Sequence, residues 1–98
     1  MRRCPLGDAV SAMLPGGILL RRTEQDWHSA SFSGARVKFD FGLPEDHRAQ
    51  VAPFEAALSD HEYALPGKLV VDIIVSGQRE VPGGLLLIVE ALLLSDDA

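Results

Sequence analysis

The densest apolar stretch of the chain runs from Leu69 to Leu94, LVVDIIVSGQREVPGGLLLIVEALLL, and consists of two hydrophobic runs separated by a polar segment. Leu69–Val75 is short, rich in β-branched residues that suit a pleated surface, and preceded by Pro66-Gly67, which predicts a strand. With a period of two, Leu69, Val71, Ile73 and Val75 take one side, and Val70, Asp72 and Ile74 the other. Leu85–Leu94 is made of good helix formers and also fits a buried helix. A helix there would set Asp96 and Asp97 against its negative C-terminal end and would start at Pro82-Gly83-Gly84 without a capping side chain, so a strand is the preferred reading. Leu86, Ile88, Glu90, Leu92 and Leu94 then share one face. The segment from Ser76 to Gly84 reads as the loop of an antiparallel hairpin, with Gln78–Gly83 at its tip.

A second alternating pattern spans Trp27 to Phe41, WHSASFSGARVKFDF. Ser33-Gly34 suits a two-residue turn, and pairing Phe32 with Ala35 puts His28 opposite Phe39 on the same side as Val37 and Phe41. Trp27, Arg36, Lys38 and Asp40 take the other side. Gly42-Leu43-Pro44 ends this hairpin, and Pro44, Glu45 and Asp46 open a helix predicted over 44–59. Its apolar stripe is Val51, Phe54, Ala57 and Leu58, and Pro53 within it predicts either a kink or a later start.

The expected fold class is α+β: a four- or five-stranded sheet built from two hairpins, 27–41 and 69–94, with one main helix, 44–59, on one face. Residues 1–26 form an N-terminal arm, with a short helix at Asp8–Leu14 capped by Asp8 and a strand near Gly17–Thr23. Residues 27–98 form the single domain. One helix covers one sheet face only. The other would show Trp27, Val70, Ile74, Leu86, Ile88 and Leu92 among Arg36, Lys38, Asp40, Asp72 and Glu90, more apolar surface than a monomer usually leaves in water. These six apolar residues are the expected interface.

Composition narrows the partners. A chain of 98 residues with 47% apolar content has the means for one hydrophobic core. Its net charge of −5 argues against nucleic acid, which calls for a clustered basic surface. The charge is also segregated, with six bases and three acids in residues 1–38 and a net −8 in the remainder. Segregation of this kind fits a solvated surface, and the sharper reading is head-to-tail or self-complementary association through opposite patches. Cys4 is the one cysteine, which fits a reducing compartment. Asp8 and Ser11 interrupt any apolar core of a secretory signal after Met1-Arg2-Arg3, and no run reaches the ~20 apolar residues of a membrane span, so a cytoplasmic protein without a membrane partner is expected.

Candidates for chemistry are few. His28, His47 and His61 lack metal-ligand spacing, so neither metal nor cofactor is expected. Cys4 has no assignable base beside it. Asp72 and Glu90 on one sheet face could divide acid and base roles, with His28 or His61 as an accessory, yet salt bridges to Arg36 or Lys38 account for them as well. Two functions follow from this. The first is a non-enzymatic protein–protein interaction module, most simply a homodimer through the second sheet face. The alternative is a small-molecule-binding or hydrolytic domain that uses Asp72, Glu90 and a histidine.

Overall fold

The computed structural model describes residues 5–95. A helix α1 (Pro5–Ala12) leads into strands β1 (Ile18–His28) and β2 (Ser33–Pro44), then a 3-10 segment (Glu45–Gln50) that runs into helix α2 (Val51–Asp60), and finally strands β3 (Lys68–Val81) and β4 (Gly84–Ser95). The four strands form one antiparallel sheet in the order β1-β2-β4-β3. The class is therefore α+β, as the two-hairpin pattern predicts. β2 and β3 do run parallel across the helical connection, but β4 lies between them rather than leaving them adjacent.

The core fills the space between the helices and one sheet face. Ala35, Val37, Phe39, Phe41 and Leu43 from β2 lie beside Leu93, Ala91, Val89, Leu87 and Leu85 from β4, and all ten are buried. Leu6, Val10 and Leu14 from the α1 region, with Val51, Phe54 and Leu58 of α2, close over them. Leu85–Leu94 is strand throughout because β4 is central, bonded to β2 on one side and β3 on the other. The α-helix starts late, at Val51, as Pro53 predicts. Pro53 occupies the first turn of α2, where its missing N–H belongs to the group that has no intrahelical partner, and the preceding turn is 3-10. Ala57 of the expected stripe stays exposed. Asp8 lies inside α1 rather than capping it.

Three local readings need correction. The first hairpin spans 18–44, because Trp27 pairs with Gly34 and His28 with Ser33, so the turn is Ser29–Phe32. Ser29 closes that turn, its N–H donating to the Phe32 carbonyl at 2.8 Å and its hydroxyl accepting from the Phe32 N–H at 3.1 Å. His28 is consequently exposed at a strand end instead of facing Phe39. In the second hairpin, Ser76–Val81 is strand, and the tip is the two-residue turn Pro82-Gly83, with Val81 paired to Gly84. Proline pre-sets the first turn residue, and Gly83 supplies φ +83 at the second. Finally, β3 is bulged between Val70 and Asp72 and again between Val75 and Gly77. The first bulge turns Val70 to the helix side, opposite buried Leu93, where it packs against the core. Val70 therefore does not belong to the uncovered face.

Candidate functional site

The face of the sheet away from the helices has no cover among the described residues. Residues paired across antiparallel strands share a face, so the register lays this surface out directly. At one end Trp27, Gly34, Leu94 and Leu69 follow one another across the four strands, and next come Gln25, Arg36, Leu92 and Asp72. Thr23, Lys38, Glu90 and Ile74 cross the middle. Arg21, Asp40, Ile88 and Gly77 come after them, and Ile18, Gly42, Leu86 and Arg79 complete the face.

Two stripes result. Along β4 and β3 run Leu86, Ile88, Leu92, Leu94, Leu69 and Ile74, the last two 59% and 49% exposed. Along β1 and β2 run polar and charged residues, with Lys38 beside Glu90 of β4 and Arg36 separated from Asp72 of β3 by Leu92. Lys38 stands directly across from Glu90, although the two form no ion pair within 4 Å. Of the expected interface, Trp27, Ile74, Leu86, Ile88 and Leu92 do share this face. Leu69 joins them through the bulge at Val71. Leu20 does so through the irregularity between Leu19 and Arg21, which lays its side chain over Gly42. No alternation in the sequence signals either residue, because a bulge changes the backbone and leaves the side-chain pattern as it was.

The chemical candidates do not converge. Asp72 and Glu90 are on the same face, but Glu90 pairs with Ile74 while Asp72 pairs with Leu92. His28 is at the far end of β1. His61 lies beyond α2, its ring 4.7 Å from that of Tyr63 in an edge-on contact. His61 and Asp72 do border one hollow with Ser59 and Tyr63, of about 110 Å³. Ligand pockets usually hold ~300–1,000 Å³, so this one has room for little beyond water. His47 is held by Gln50, whose amide lies 2.6 Å from the His47 Nδ1 and 2.9 Å from the Pro15 carbonyl oxygen. That arrangement ties the 3-10 segment to the turn before β1. No group of three or more His, Cys, Asp or Glu side chains among the described residues could hold a metal. Cys4 lies outside the described residues, as do Asp96 and Asp97.

The ordered electrostatics sit elsewhere. Arg48 donates to both Glu45, at 2.7 and 2.8 Å, and Glu80, at 2.6 and 2.8 Å, joining the 3-10 segment to the distal part of β3. Its guanidinium holds both carboxyls below the usual carboxylate range, and the two carboxylates push the arginine's own pKa up. Tyr63 donates to the Leu58 carbonyl at 2.8 Å, and burial pushes its phenol up. No helix among the described residues is long and apolar enough to cross a membrane. No protein-family model, curated protein or solved structure matches the chain.

Proposed function

We propose that the protein is a small non-enzymatic interaction module that self-associates through the uncovered sheet face. The observation that carries this reading is the apolar stripe Leu86, Ile88, Leu92, Leu94, Leu69 and Ile74 on a face without helices. With strands ~4.8 Å apart and a rise of ~3.3 Å per residue, the face measures roughly 19 by 33 Å. That is about 600 Å² in projection, approaching the ~800 Å² that each partner gives to a typical stable interface. A second copy is the occupant, because its own apolar stripe can cover this one and a two-fold axis presents the same patch from both subunits. The single cysteine and the net charge of −5 fit a cytoplasmic protein whose partner is not a nucleic acid.

Ile88→Lys is the test. A charge in the centre of the apolar stripe is expected to lower the mass measured by light scattering while leaving the far-ultraviolet dichroism unchanged. An Ile88→Lys protein that keeps the parent mass would refute face-to-face association. The hydrolytic or ligand-binding alternative has in its favour the hollow that His61 and Asp72 border and a wider one of about 400 Å³ lined by His61, Glu62, Tyr63 and Leu69, but Glu90 takes part in neither.

A further inference from the structure

β1 ends the sheet, with β2 on one side and no strand on the other among the described residues. Trp27 apart, all of its residues are exposed. A long edge of this kind presents a row of backbone N–H and C=O groups that templates the addition of another strand. The opposite edge, β3, has two bulges that break up such a row. β1 has one irregularity near its start, and from Arg21 to His28 its register with β2 is continuous.

The charges of β1 are self-complementary about its midpoint. Thr23 is flanked by Arg22 and Glu24, and these by Arg21 and Gln25. Arg22 and Glu24 lie on the helix side of the sheet, opposite Phe39 and Val37, and are ion-paired along their own strand. When two copies pair antiparallel about an axis perpendicular to the sheet, helix side meets helix side, so a residue can oppose only one from its own face. Centring the axis on Thr23 places Arg22 against Glu24 of the partner subunit, and Glu24 against the partner's Arg22. The same register sets Thr23 against the partner's Thr23, a favourable cross-strand pair, and Arg21 against the partner's Gln25. Centring it on Glu24 would bring two like charges together, which is destabilising.

We infer that β1 is an edge for a second copy of this chain, pairing antiparallel about Thr23 to join two sheets into one. This surface is separate from the uncovered face, so each association stands or falls without the other. Arg22→Glu and Glu24→Arg each set like charges across the axis, and each is expected to lower the parent mass in sedimentation. An equimolar mixture of the two variants is expected to recover the parent mass, because each supplies the sign that the other lacks. Loss of the Arg22–Glu24 pair within a strand could not be repaired by mixing. A mass unchanged in both variants, or no recovery on mixing, overturns the inference. Amide exchange in the parent gives a reading that needs no variant: protection over Arg21–Gln25 should rise with protein concentration, and a flat response also overturns the inference. Ile88→Lys is expected to leave that concentration dependence intact, which separates failure of the edge from failure of the face.

Discussion

A methyl group at position 34 has no room. A Cβ built on Gly34 would lie 1.9 Å from the Leu93 carbonyl oxygen, and backbone in the middle of a sheet cannot swing aside as a side-chain tip can. Gly83 makes the opposite case, with φ +83 but nothing within 4 Å of its missing Cβ. Gly34→Ala is therefore expected to cost about 3 kcal/mol in urea unfolding, from overpacking against backbone, and Gly83→Ala only about 1–2 kcal/mol, from left-handed strain. Equal losses would show that the close approach at Gly34 is readily relieved. The sequence offers Ser33-Gly34 as turn chemistry, and only the partner strand shows that this glycine is there for contact. The Arg48 cluster was equally hidden, since Glu80 is 32 residues away in the chain. Glu45 and Glu80 have depressed folded-state pKa values, so their stabilisation is present above the unfolded carboxylate range and is lost as pH falls through the folded values. Arg48→Ala should therefore flatten the acid side of a plot of unfolding midpoint against pH. The difference should be small and should shrink in salt, because the cluster is exposed. An unchanged acid limb would show that the cluster contributes nothing to stability.

At the scale of elements, what could be read from the sequence follows what is covered. β2 and β4 are central and have helices on one face, so alternate residues are buried and the period of two is plain in ARVKFDF and LLLIVEALLL. β1 and the distal half of β3 are edge segments with little cover on either side, and RRTEQD and SGQRE accordingly show no hydrophobic period. They are strands because a neighbour supplies hydrogen bonds, and a single-chain pattern does not record that. The same reason explains why SGQRE reads as a loop. Exchange rates should rank in this order: amides of β4 slowest, those of Gln78–Val81 faster, and the Pro82-Gly83 tip fastest. If Gln78–Val81 exchanged as fast as the tip, the extended hairpin would not persist in solution.

For the whole molecule, the sequence is sufficient for the α+β class and for the statement that one sheet face lacks cover, because the count of apolar faces exceeds what one main helix can bury. The contents of that face were less accessible. The first bulge in β3 reassigns Val70 to the core and Leu69 to the surface, and strand order depends on pairings between distant segments. That order also bears on how the protein is made. β4 follows every other described element in the chain, yet it lies in the middle of the sheet, bonded on both sides. On the ribosome, β1 and β2 can form their hairpin early, but the inner edge of β2 and the apolar side of α2 wait until Gly84–Ser95 has emerged. From the completion of β2 until β4 has emerged, the nascent chain thus carries an open, hydrophobic strand edge, and its final closure depends on contacts of high sequence separation. Chaperone demand should therefore be concentrated in that interval, and a nascent chain stalled before Gly84 would have no complete core.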